Sequence, residues 1–275
     1  MLRPALAALL GAVLLLPGGA AFDPRPGGPH DDVTRAAARV AGFPEGGVDA
    51  LVEAVRAPDV KDMSGPEDFS DVYEPAHHCD RVPPATDGEA FNATASYVRF
   101  EGDAARNASL SGDAAEAVRA LGRALHALED CFSHSNAVDL PEPMGVVHAV
   151  VGQVAPPAAL RLSSVQPGAA DPMRPDGDNY THEDFAKDRA DANDESALVL
   201  PDNRTKFEAA RDLATDAATL FLSDWLGQRN PAEIGPLGDV DAPDGGPLPR
   251  WAPAPVGLAL GAGLLVASAS VRRRM

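Results

Sequence analysis

The stretch "LGRALHALEDCFSHSN", Leu121 to Asn136, joins a clean helical period to a concentration of metal-ligating residue types. Its apolar members continue a set that begins upstream. Ala114, Ala117, Val118, Leu121, Leu125, Leu128 and Phe132 recur at i, i+3, i+4 spacing, which predicts a helix over Asp113 to Phe132. On a helix turning by about 100° per residue, Asp130 lies about 40° and His134 about 80° from His126. The three side chains share one stripe. A polar stripe built from imidazole and carboxylate is either a solvated face or a metal site.

The rest of the chain weighs on that choice. Of seven histidines, His30 immediately precedes a helical pattern, His77 and His78 stand together in "EPAHHCDR", and His182 sits in "NYTHEDFAKD". Their concentration beside Asp and Glu favours a metal site, because zinc takes these ligands and carboxylates bridge neighbouring ions. His148, in "MGVVHAVVG", stands among apolar residues and reads as a packed core or loop histidine.

The remaining periodicity is also helical. Asp31 to Val40 opens with acids suited to a helix N-terminus, Val48 to Arg56 predicts a second helix, and Phe207 to Leu226 carries Leu213, Ala217, Leu220, Phe221 and Trp225 at helical spacing. Alternating strand patterns are nearly absent, and Val146 to Val154 is only a short apolar run. The expectation is an all-α domain with long irregular connections over 57–112 and 155–205.

The two ends read as appendages. Residues 1–21 have Arg3, an apolar run from Ala5 to Leu16 and small residues at Gly18 to Ala21, the pattern of a secretory signal peptide cleaved near Ala21; an N-terminal membrane anchor is the alternative. Residues 22–228 form the domain, and residues 229–252 form a Pro/Gly/Asp-rich stalk. In residues 253–275 an uncharged run from Val256 to Val271 is followed by Arg272 to Arg274, which reads as a C-terminal transmembrane anchor or a sorting tail that is removed. Either reading exports the domain to the cell surface. Four sequons, at Asn92, Asn107, Asn179 and Asn203, are candidate glycosylation sites on that side of the membrane.

The formal net charge is −18, and lysine occurs only at Lys61, Lys187 and Lys206. An acidic, lysine-poor composition of this kind resembles that of extreme halophiles, whose carboxylates hold hydration in screening salt. It argues against nucleic acid as a partner, since binding there needs cationic contacts to phosphate.

On these motifs the chain resembles the zinc-dependent phospholipase C and single-strand nuclease superfamily. The resemblance covers about Phe22 to Leu226, and its most specific part is "LGRALHALEDCFSHSN", which resembles the signature of heterokaryon-incompatibility C type proteins in that superfamily. "HDDVTRAAA" resembles the first ligand helix and "AHHCD" the loop histidine. The resemblance implies an all-helical fold with a cluster of up to three zinc ions. His30 would be the first-helix ligand, His126 and a bridging Asp130 the central pair, and His77 or His78 the loop ligand. Asp59 or Asp62 would be the ligand and general base, and His134 the next ligand. His182 would open the last pair, with Asp184, Asp188 or Glu208 as its acid. The amine of Phe22, freed by signal cleavage, would be the remaining ligand.

If Cys79 and Cys131 flank one cluster they lie close together, and export favours a disulfide over two buried thiols or zinc ligation. The run "DRADANDE" after His182 reads as a solvated acidic loop, with calcium binding as the alternative. The expected function is zinc-dependent hydrolysis of a phosphodiester, phospholipid favoured, at the cell surface. Two alternatives are a nuclease of the same superfamily and a non-catalytic surface protein that keeps the fold.

Overall fold

A computed structural model of the chain describes residues 26–59, 74–152, 154–164, 185, 187, 190 and 194–227. These residues form an all-α structure. The helices are α1 (Pro29–Ala41), α2 (Glu45–Val55), α3 (Asp87–Leu110), α4 (Ala114–Ser133), α5 (Met144–Val150), α6 (Asp194–Ala197) and α7 (Lys206–Gly227), with short 3-10 turns at Pro75–His77 and Ala137–Asp139. Among the described residues there is no strand, only isolated bridges such as Arg81 with Ser164 and Ser135 with Leu162.

The helix that the opening stretch predicts is the central one. From Ala124 to Ser133 every residue of α4 is buried, because α2, α3 and α7 pack around it while α1 packs on α2 and α7. Its N-terminus is capped by the Asp113 side chain, which accepts from the Glu116 backbone N–H. The expected helices near 31–40, 48–56 and 207–226 correspond to α1, α2 and α7 within a few residues at each end.

The expectation of an irregular connection over 57–112 is corrected by α3, at 24 residues the longest helix among the described residues. Its inner face is Ala90, Phe91, Thr94, Ala95, Val98, Glu101, Gly102 and Ala105. This face is too small and too polar to give a hydrophobic period, although close packing against α4 needs small residues. The readable signal was its start, where Thr86 and Glu89 form a reciprocal capping box. The apolar run near Val146 is likewise helical, in α5.

One extended segment stitches the site's surroundings together. The Arg81 N–H donates to Ser163 O (2.9 Å), the Ser163 N–H to His134 O (2.8 Å), and the Asn136 N–H to Arg161 O (3.1 Å). Residues 161–164 thus tie the loop after His78 to the end of α4. No described helix is long and apolar enough to cross a membrane. The expected signal peptide, stalk and C-terminal anchor lie outside the described residues.

Candidate metal centre

Five side chains from four parts of the chain meet beneath α4. His30 comes from the first turn of α1 and Asp59 from a helical turn after α2. His78 follows the Pro75–His77 turn, and His126 and Asp130 lie one turn apart on α4. All are buried: His30, His126 and Asp130 are 0% exposed, and Asp59 and His78 are 3%.

Two groups, His30 with His126 and Asp130, and Asp59 with His78 and His126, each have their ligand atoms within 4.8 Å of one another, close enough to hold a metal ion. Around His126 Nε2 lie His78 Nδ1 at 3.1 Å, Asp130 Oδ2 at 3.3 Å and Asp59 Oδ1 at 3.6 Å. His78 Nδ1 lies 3.2 Å from Asp130 Oδ2 and 3.8 Å from Asp59 Oδ1. On the other side, His30 Nε2 lies 3.3 Å from Asp130 Oδ1 and 3.9 Å from Asp59 Oδ2. Each aspartate therefore turns one oxygen to the His78–His126 side and the other to the His30 side. Asp59 Oδ2 and Asp130 Oδ1 are buried without a hydrogen-bond donor. That arrangement is costly in an apolar interior unless a cation offsets it.

Backbone and side-chain acceptors fix the rings. His126 Nδ1 donates to Val55 O at 3.0 Å, using a carbonyl in the last turn of α2 that has no partner within the helix. This leaves the Nε2 lone pair facing the cluster. His134 Nδ1 donates to His78 O at 2.9 Å. His30 Nδ1 lies 2.6 Å from Glu129 Oε2, and the Thr34 hydroxyl donates to Glu129 Oε1 at 2.7 Å.

Burial and then the Asp130 charge push Asp59 up to about 7. Burial works against ionisation of Asp130, yet His126, His30 and His78 hold its carboxyl well below the usual carboxylate range. Burial pushes His126 well down. It opposes protonation of His30 too, but Asp130 and Glu129 outweigh it and raise that ring.

Of the expected ligands, the structure brings together His30, Asp59, His78, His126 and Asp130. The choice between the loop histidines falls on His78, because His77 is half-buried with its ring stacked on Tyr97 at 4.2 Å. His134 is buried at the end of α4 and lies 3.4 Å from Asp80 Oδ1, outside the two groups. Glu208, one candidate for the last acid, is exposed, and its carboxylate accepts from the Thr205 N–H (2.8 Å) while its own N–H donates to the Thr205 hydroxyl (3.1 Å), a reciprocal cap at the start of α7. Asn92, Asn107 and Asn203 are exposed and His148 is half-buried in α5. Phe22, Asp62, Asn179, His182, Asp184 and Asp188 lie outside the described residues.

Cys79 and Cys131 form a disulfide spanning 52 positions. It joins the residue after His78 to the residue after Asp130, so one covalent bond holds the loop ligand against the helix ligand. Titration of the unfolded, unreduced protein should find no free thiol. Replacing both cysteines by serine should cost about 2–4 kcal/mol of stability, read from denaturant unfolding; two free thiols would contradict the pairing.

Several residues escaped the sequence reading. Glu129 sits about 100° from Asp130 on the helix, off the metal stripe, and the Val55 and His78 carbonyls carry no side-chain signature. Lys187, just before the supposed acidic loop, is buried, with its ammonium donating to Ser135 O (2.6 Å) and Phe185 O (2.8 Å) beyond the end of α4. There it suits the negative end of the helix dipole. Comparison of the chain with protein-family models, with curated proteins and with solved structures finds no match in any of the three.

Proposed function

We propose that the protein is an exported zinc-dependent phosphodiester hydrolase of the phospholipase C kind, tethered at the cell surface. The observation that carries this reading is the paired orientation of Asp59 and Asp130, each with one oxygen toward His78 and His126 and one toward His30. Ligand atoms on one tetrahedral zinc with bonds of about 2.0–2.1 Å stand about 3.3–3.4 Å apart. The separations of 3.1–3.8 Å around His126 Nε2 and His78 Nδ1 suit that set. His78, His126, Asp59 and Asp130 would hold one ion, and His30 with the second oxygens of both aspartates another. The Phe22 amine, His134, and His182 with Asp184 or Asp188 remain proposed ligands for completing the second ion and a third.

Zinc bound here would supply a water acidified toward neutrality and positive charge for the phosphoryl oxygens. The protein's own part is geometric and electrostatic. Val55 O holds His126 in the tautomer that presents Nε2. Asp59, whose carboxylate lies beside His126 and His78, would orient the attacking water by accepting a hydrogen bond from it. The acidic surface favours phospholipid over nucleic acid as substrate, and the disulfide suits an exported chain.

A second reading, a non-catalytic surface protein with a structural metal, is favoured by the near-complete burial of all five residues. Elemental analysis together with phosphodiesterase assays on phospholipid and single-stranded DNA, in high salt, separates the two. Two or three zinc ions per chain with phospholipid hydrolysis support the enzyme. Bound zinc without turnover of either substrate supports the scaffold, and a zinc-free protein overturns both.

A further inference from the structure

We infer that Glu129 is the positioning residue for the His30 side of the cluster, so that its removal weakens one of two bound ions selectively. The inference rests on the two-ion reading above. It comes from a difference in how the histidines are held. His126 and His134 give their Nδ1 protons to neutral backbone carbonyls, Val55 O and His78 O. His30 Nδ1 instead meets a carboxylate, Glu129, at 2.6 Å, whereas the carboxylate nearest His134 Nδ1, Asp80, stands back at 3.4 Å behind the His78 carbonyl.

That carboxylate is well placed for the task. Glu129 is 0% exposed, and its second oxygen accepts from the Thr34 hydroxyl at 2.7 Å, so both oxygens are directed by α1. It immediately precedes Asp130 on α4. The same turn of helix therefore supplies a ligand to the His30 side and the brace for the histidine ligand that comes from α1.

A carboxylate on the outer nitrogen fixes the ring orientation, keeps Nε2 as the lone-pair atom and makes it a stronger donor than a carbonyl-held ring. Glu129 also adds a third negative charge to those of Asp59 and Asp130. Two divalent cations offset that buried charge, and one does not. The effect falls on the His30 side, because Val55 O holds the His126 ring and the Cys79–Cys131 disulfide ties the residue after His78 to α4.

The test measures stepwise zinc affinities by chelator competition for wild type, Glu129→Gln and Glu129→Ala. Nitrogen NMR of the zinc-bound protein reports whether His30 keeps its proton on Nδ1, the nitrogen facing Glu129. Glu129→Gln keeps the size and one acceptor oxygen and should stay folded with a melting temperature near wild type. One zinc should weaken by about 10–100-fold while the other changes by less than about threefold. Thr34→Val should weaken the same ion by a smaller factor. If Glu129→Ala does not fold, Glu129→Gln and Thr34→Val decide the matter.

Two tight ions with unchanged affinities in these variants overturn the inference and leave the two-ion reading intact. Equal weakening of both ions also overturns it, since Glu129 would then hold the fold rather than one site. A wild-type protein that binds no zinc overturns the two-ion reading itself, and this inference with it.

Discussion

Asp130→Asn is expected to strip the protein of zinc while leaving its helices in place. Asp130 is the residue whose two oxygens face both sides of the cluster, 3.2 Å from His78 Nδ1 and 3.3 Å from His30 Nε2. It is also the carboxylate that the surrounding histidines hold ionised in spite of complete burial. Asparagine keeps the volume but removes the charge and turns one oxygen into a donor, which points an N–H at ring lone pairs or at a cation. Zinc affinity should fall by more than about 100-fold, beyond the cost of losing an outer partner. Phosphodiesterase activity should fall with it. The helical circular dichroism should be unchanged, because the helix retains its packing residues Leu125, Leu128 and Phe132. Full zinc content in Asp130→Asn would remove the basis for the cluster.

The same residue shows how much of the site the sequence carried. His126 and Asp130 were legible because a helix places i and i+4 side chains together, and the apolar residues around them mark the helix without ambiguity. His30, Asp59 and His78 come from elsewhere in the chain, and residue spacing alone could not bring them to α4. They were named through a resemblance of motifs, and the geometry places these three at the cluster. The choice of His78 over His77 turns on where the two rings lie: one faces Asp130 and its neighbour stacks on Tyr97.

What the sequence hid was mostly polar or small. α3 was read as a connection because its buried face carries only Phe91 and Val98 as larger apolar residues among Ala90, Thr94, Ala95, Glu101, Gly102 and Ala105. The cost of burying Glu101 is offset by Arg123 of α4, which donates to it at 2.8 Å. A charged pair in a helix interface gives no hydrophobic period. Glu208, an acid offered for the last ligand position, is exposed and exchanges hydrogen bonds with Thr205 at the start of α7.

The second large effect is expected at Gly122, within the stretch that decided the fold. A Cβ built there would lie 2.5 Å from Ala54 Cβ, 2.6 Å from the Ala54 carbonyl carbon and 2.7 Å from its oxygen. Two of those atoms are backbone, so no rotamer change relieves the contact, and α2 must move away from α4. The displaced turn is the one that matters most for the site. Ala54 precedes Val55, whose carbonyl holds His126 Nδ1 one turn beyond Gly122, and Asp59 follows four residues later. Gly122→Ala should therefore lose about 1–3 kcal/mol from overpacking and weaken zinc by at least about 10-fold as His126 and Asp59 lose register. Gly46→Ala in the same α2 is the control: it is exposed and has nothing within 4 Å of its added Cβ. It should be neutral or stabilising, by up to about 1 kcal/mol, since alanine favours a helix over glycine. Melting curves with and without zinc test both. Because the helix contact and the metal geometry share one turn of α2, the stability that zinc adds should shrink in Gly122→Ala and stay whole in Gly46→Ala. An unchanged zinc increment in Gly122→Ala would show that the close approach of α2 and α4 serves packing alone.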